Sequence, residues 1–409
     1  MCWEWTTIER MRGSRLNGMR AVAAAVLSLM VMTSCGTVRL ASSMKTMEKE
    51  HPYILNINYL DTLNHTPLLP FNIEQGRLRM VSQVDSLNDT LLLDLGYSGY
   101  LLGWQLDDSI DASSLHRTQV LTGRGLEPTY MHMEQRDVSN RLFNADNMLR
   151  MVLHYQKDAF PCDEPVVHST LLGNAFIDDC WLVLNFENNT MGLYASVDKS
   201  GWVKLKSRRV GCYFVTLTID GKRYRCMLDT GNPSGIVLKK DLTGVVNPTD
   251  LAEEGYGVVG ASGHKHLVAK NGKQPKSVLA VHRNGVAVVY GEGRDTVRSN
   301  VRYDRSIAMN NAGLQFMRQF NWIIGKDGVY VQPIKRSVPP YSPTYLYQVN
   351  DVNGRLTIVS RWLGNSSVYQ LGEVIVSVDG VAVNKDNICH FKTLLNTTAD
   401  WSKFRLETR

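Results

Sequence analysis

Cysteine is scarce in this chain, with seven in 409 residues and no two of them in a C-x-x-C pair. That spacing excludes the common zinc sites, and the number is too low for a disulfide scaffold. Basic runs are short as well. No stretch of Lys and Arg exceeds three residues and the formal charge is only +6, which argues against nucleic acid as a partner. No bilayer crossing is indicated, because the apolar run Ala21 to Met32 has twelve residues where a span needs about 20. A hydrophobic content of 44% with 21% charged residues excludes wholesale disorder. What the chain does have is length for two to four domains and 32 glycines in a strand-rich pattern, which predicts many tight turns.

Arg12, Arg15 and Arg20 precede the apolar run, which closes on Thr33-Ser34-Cys35. A basic region, a short apolar core and small residues before a boundary form a secretory signal. The cysteine at the boundary resembles a bacterial lipoprotein signal, with Cys35 as the lipidated first residue, although Met32 stands where leucine is commoner. A plain signal or a short buried helix is the alternative. The resemblance implies a cell-envelope protein held to a membrane by lipid, facing the periplasm or the surface. Loss of residues 1–34 removes four Arg and two Glu, so the net charge falls from +6 to +4. Cys162, Cys180, Cys212, Cys226 and Cys389 remain in a compartment that permits disulfides, and five thiols allow at most two pairs.

An internal repeat organises the middle of the chain. Val84 to Asp94 aligns without a gap on Ile219 to Asp229, an offset of 229 − 94 = 135 residues. Each copy reads as a β-hairpin, with its turn at Asp85-Ser86 or Asp220-Gly221, whose second strand ends in Asp. Each Asp opens a glycine turn, Asp94-Leu95-Gly96-Tyr97-Ser98-Gly99 or Asp229-Thr230-Gly231-Asn232-Pro233-Ser234-Gly235, followed by an apolar strand. Similarity resumes where Leu171-Leu172-Gly173-Asn174 faces Asn311-Ala312-Gly313-Leu314, then again at Trp181 to Leu184 and Trp322 to Ile324. Two copies of one β-rich lobe are expected.

Asp229-Thr230-Gly231 in this setting resembles the active-site loop of aspartic proteases, and the second Gly element resembles the other half of their ψ-shaped motif. The likeness covers about residues 70–335 and is to the retropepsin-like branch, duplicated within one chain as in pepsin-like enzymes. It implies an endopeptidase acting on peptide or protein, with Asp94 and Asp229 catalytic and no metal or other cofactor. The chemistry suits the residue types. Two carboxylates about 3 Å apart cannot both ionise, so one pair supplies both a base for water and an acid for the leaving group. In the family the loop Thr bonds across to the opposite lobe. Leu95 stands in the Thr place of the first copy, so half of that lock is expected to be absent. Three readings follow: an asymmetric working dyad, a decayed peptide-binding protein, or pairing of second lobes from two chains.

Ser98 and Ser234 resemble loop hydroxyls that bond the catalytic carboxylates, and turn formation explains them equally well. Flap candidates are Thr122-Gly123-Arg124-Gly125 and the richer Gly255 to Gly263, where Tyr256 is a candidate substrate contact. His264 and His266 could face one way on a strand but have no further ligand at useful spacing. Asp178-Asp179 reads as a turn pair, not a second dyad.

Val338-Pro339-Pro340-Tyr341-Ser342-Pro343 breaks the pattern, and a separate module is expected beyond it. Leu371-Gly372-Glu373-Val374-Ile375 to Val383, turning at Asp379-Gly380, resembles the corresponding segment of PDZ domains, with a helix from Asn387 to Leu395 and a closing strand from Phe404. That likeness implies peptide binding by strand addition, yet no carboxylate-holding loop is evident near Tyr345-Leu346-Tyr347. The expected architecture is mostly β: a lipoprotein signal peptide (1–34), a tether (35–50), two aspartic-protease-like lobes (51–200 and 201–335) and a PDZ-like domain (336–409).

Overall fold

The computed structural model describes residues 56–59 and 68–409, except 75, 108, 123–124, 157–161, 163–169, 241, 243–250, 256–277, 294, 306, 343–345, 353 and 364–367. Cys35, the signal and tether, Tyr256, His264 and His266 lie outside the described residues. The described part belongs to one compact unit, Tyr53–Arg409, and it is mostly β. No described helix is long and apolar enough to cross a membrane.

Both lobes are built in the same order from the same local signals. Asp85 and Ser86 have φ of 49° and 66°, and Asp220 and Gly221 have 50° and 72°. Positive φ at both central residues is the two-residue turn whose twist suits a hairpin, which is why Asp and Gly occupy it. These turns join Arg77–Val84 to Leu87–Leu93 and Cys212–Ile219 to Lys222–Asp229. A two-residue strand, Leu171–Leu172, then runs parallel to the end of Leu87–Leu93 and antiparallel to the start of Leu101–Asp107. In the second lobe Asn311–Gly313 sits in the same way between Lys222–Asp229 and Ile236–Leu238. Each lobe therefore wedges a short strand beside its Asp.

The lobes meet where Trp181–Asn185 pairs antiparallel with Phe320–Gly325, Val183 lying opposite Ile323. These two residues are repeat counterparts, because Gly173 and Gly313 fix the local offset at 140 residues and 183 + 140 = 323. A residue paired with its own counterpart marks a pseudo-two-fold axis. The surrounding core is continuous, running from Leu69 in the first lobe through Leu182 and Ile324 to Val331 in the second. Phe320–Gly325 is buried along its whole length, as a central strand covered on both faces must be.

The carboxyl-terminal module keeps a core of its own, formed by residues such as Tyr347, Ile358, Ile375, Phe391 and Trp401. Its helix spans Ile388–Thr397 and its turn at Asp379-Gly380 has φ of 50° and 82°. It is not structurally separate, however. Leu251–Gly255 of the second lobe pairs antiparallel with Leu356–Leu363, so one sheet runs through both. Ser360 Oγ donates to Glu253 at 2.7 Å, Arg361 pairs with Glu254 at 2.9 Å, and Tyr341 stacks on His282 at 4.4 Å. A disulfide, Cys162–Cys389, ties the module to the first lobe, while Cys180, Cys212 and Cys226 are free and buried. The Pro-rich break gives no hint of this joint, which depends on side chains far away in sequence.

Candidate active site

The two Asp loops face each other across the pseudo-two-fold axis with matched backbone hydrogen bonds. Tyr97 N donates to Asp94 O at 3.1 Å and Asn232 N to Asp229 O at 3.3 Å. Gly173 N donates to Tyr100 O at 2.7 Å and Gly313 N to Gly235 O at 2.8 Å. Asn174 N and Leu314 N donate to Tyr97 O and Asn232 O at 2.8 and 2.7 Å. The second Gly element thus clamps the far side of each loop and aims its Asp at the opposite one.

The glycines show how close that approach is. A Cβ on Gly231 would lie 2.6 Å from Asp94 Oδ2, and one on Gly96 would lie 2.8 Å from Asp229 Cγ and 3.1 Å from Asp94 Oδ1. Each loop's glycine therefore lies against the carboxylate of the other lobe, in space that any side chain would fill. Asp94 and Asp229 are within hydrogen-bonding reach of one another. Each residue is largely but not completely buried.

Surroundings differ between the two carboxyls. Gly96 N donates to Asp94 Oδ1 at 2.8 Å. Asn232 N donates to Asp229 Oδ1 at 3.0 Å, and the Asn311 carboxamide donates to Asp229 Oδ2. Asn311 occupies the place that buried Leu171 holds in the first lobe, so Asp94 has no such side-chain donor. Burial and the charge of Asp229 push Asp94 up to about 8. Burial raises Asp229 too, but Asn311, Asp94 and two loop amides oppose it. The pair titrates as a unit, and within it Asp229 accepts more hydrogen bonds than Asp94, from Asn311 and the loop amides.

Thr230 fastens the two lobes. Its Oγ1 accepts from Leu95 N at 3.0 Å and donates to Leu93 O at 2.6 Å. Leu95 and Thr230 are both fully buried, and Leu95 carries no hydroxyl to make the reciprocal bonds. Asn174 Nδ2 instead holds the Leu95 carbonyl at 2.9 Å from within the first lobe. Ser234 serves its turn, donating Oγ and N to Asn232 Oδ1 at 2.5 and 3.0 Å, and does not bond Asp229. Among the described residues no hydrogen bond joins Ser98 to Asp94. Thr122 and Gly125 flank the turn of the hairpin His116–Thr122 and Gly125–Ser139, while Leu251–Gly255 leads into the second candidate flap.

Three site residues have no counterpart in the motif. Arg77 follows Gly76, whose φ of +71° lets the hairpin turn pack on Pro233, and its Nη1 reaches Gly231 O at 3.3 Å. Its guanidinium is partly desolvated, which lowers its affinity for a proton, while Asp94 and Asp229 oppose that shift. Cys212 donates Sγ to Gly96 O at 3.1 Å, and burial plus the two Asp charges push its thiol up to about 12. Asn311 is the third. Its polar side chain at a position matched by Leu in the other copy was the one available signal; Arg77 and Cys212 arrive only through tertiary packing.

No group of three or more His, Cys, Asp or Glu suited to a metal occurs among the described residues. In the module, Asn396 accepts from Val349 N and donates to Val349 O, both at 2.9 Å. That closes the strand edge at Val349 to an added strand. Compared with known proteins, the chain matches no family model and no curated protein.

Proposed function

We propose that this protein is an aspartic-type endopeptidase, built as two aspartic-protease-like lobes followed by a PDZ-like module and anchored to an envelope membrane through Cys35. The observation that carries the reading is the crossed packing of Gly96 on Asp229 and Gly231 on Asp94, which holds two carboxyls together with unequal surroundings. Asp229, supported by Asn311, takes a proton from a water lying between the carboxyls. The water oxygen attacks the peptide carbonyl carbon while Asp94 gives its proton to the carbonyl oxygen. On collapse the C–N bond breaks, the nitrogen takes the proton held by Asp229, and Asp94 recovers its own. No metal or covalent intermediate is needed. Such acid–base assistance contributes roughly 10²–10⁴-fold.

Leu95 favours a second reading, a peptide-binding lipoprotein that has lost turnover, because it leaves the cross-lobe fastening one-sided. Cleavage of a peptide library from acidic to neutral pH separates the two. Products from the wild type that vanish in Asp229→Asn support hydrolysis. Binding without products, or equal turnover by both proteins, ends the protease reading. For the anchor, Cys35→Ala is expected to leave the membrane fraction.

A further inference from the structure

In the second lobe a cavity of about 560 Å³ lies between the strand Asp295–Asp304 and the chain leading into the carboxyl-terminal module, lined by neither Asp94 nor Asp229. No Asp or Glu lines it, whereas Arg298, Arg336, Gln319, Asn284, Asn300 and Ser299 do. Two of the asparagines are already used. Asn284 exchanges hydrogen bonds with the Tyr341 backbone at 2.9 and 2.7 Å, and Asn300 Nδ2 donates to Pro339 O at 3.0 Å. Arg298 Nη1 donates to Gly285 O at 2.7 Å.

Three further donors in or beside it have no acceptor. Gln319 is 5% exposed and its Nε2 is buried without a partner. Arg336 Nη1 is buried and unpartnered, as is Nε of Arg318, the residue beside Gln319. Among the described residues no carboxylate pairs with Arg318 or Arg336. The two guanidiniums stand close enough that Arg336 adds to the burial that weakens proton binding at Arg318. Buried polar groups in a folded protein are almost always satisfied, and each one left bare costs free energy. Two like charges with a buried amide donor beside them are the inverse of an anion.

We propose that this cavity is a binding site for a small oxyanion-bearing molecule, phosphate or carboxylate, held by Arg336 and Gln319, with the neighbouring charge of Arg318 adding to the attraction. The cavity exceeds the anionic group alone, so Asn300, Ser299 and Arg298 are placed to meet a polar body attached to it. Arginine suits such a ligand because its planar fork matches both oxyanion geometries. This site is independent of the Asp94–Asp229 chemistry and stands or falls without it.

The test measures thermal unfolding of the purified full chain in inorganic phosphate and in citrate, against sodium chloride of equal ionic strength. Wild type is expected to melt higher with at least one of the two anions, and the difference between them identifies phosphate or carboxylate as the better head group. Arg336→Gln is expected to weaken that response at least tenfold in apparent affinity without lowering the melting temperature of the unliganded protein. Gln319→Glu supplies a carboxylate from within, and is expected to melt higher than wild type in chloride and to ignore both anions. Equal responses in wild type and Arg336→Gln, or no response to either anion, would overturn the proposal.

Discussion

Thr230 holds Leu95 by its backbone amide, and Leu95 has no hydroxyl with which to hold Thr230 in return. Thr230 thus makes two buried hydrogen bonds to the opposite loop at once, beside the partly buried contacts of Arg77 on Gly231 and Cys212 on Gly96.

Replacing that side chain tests its weight. Thr230→Val keeps the shape but leaves Leu95 N and Leu93 O without a partner, and buried groups so stranded cost about 1–3 kcal/mol each. Chemical denaturation is expected to show a loss of about 2–6 kcal/mol, while Thr230→Ser stays within about 1 kcal/mol of wild type. Equal stability of Val and wild type would mean the loops are fastened elsewhere.

The raised carboxyl of Asp94 makes stability depend on pH in a defined direction. In the folded chain it keeps its proton to about 8, against 3.8 for an ordinary Asp. Between these values the folded state binds more protons than the unfolded state, so stability falls as pH rises. One proton corresponds to about 1.4 kcal/mol per pH unit. Melting curves from pH 4 to 8 are expected to decline for wild type and to flatten for Asp94→Asn.

Among the described residues Arg77 is a cation whose charge acts on Asp94, and its hydrogen bond to Gly231 O holds it beside the pair. Its charge favours the ionised carboxyl of Asp94, the group that must keep its proton, so Arg77→Met is expected to move the alkaline limb of the activity profile upward by about one pH unit or more. Arg77→Lys retains the charge and is expected to shift it less. An unmoved profile in Arg77→Met would show that solvent screens the pair.

Gly231 is required by space, not by backbone conformation, since an added Cβ would meet Asp94 Oδ2 at 2.6 Å. Gly231→Ala is expected to separate the carboxyls and lower activity by at least roughly 10²-fold, the typical cost of a misplacement near 1 Å. Unchanged turnover in this variant would place the chemistry elsewhere.

Much of this arrangement was legible in the sequence, for physical reasons. Asp85-Ser86 and Asp220-Gly221 announced hairpin turns because few residues accept their positive φ. The repeat at an offset of 135 announced two lobes because each needs the same hairpin, Asp loop and wedge strand. Leu95 announced the one-sided fastening directly. Ser234 was ambiguous at that level, since a loop hydroxyl serves a turn or a carboxylate equally well, and here Asn232 takes it. Arg77, Cys212 and the seam between Glu253 and Ser360 were not legible, because each contact joins residues that no local pattern relates. Cys162–Cys389 was likewise closed to a reading in which any of five thiols could pair.

The central claim is that Asp94 and Asp229 act as one unit, and a double-mutant cycle on peptide cleavage tests it most directly. Groups that share one step are strongly non-additive. Asp94→Asn and Asp229→Asn are each expected to lose at least roughly 10²-fold, with the double variant little worse than either alone. Wild-type turnover by Asp94→Asn, or losses that simply multiply in the double variant, would contradict a shared dyad.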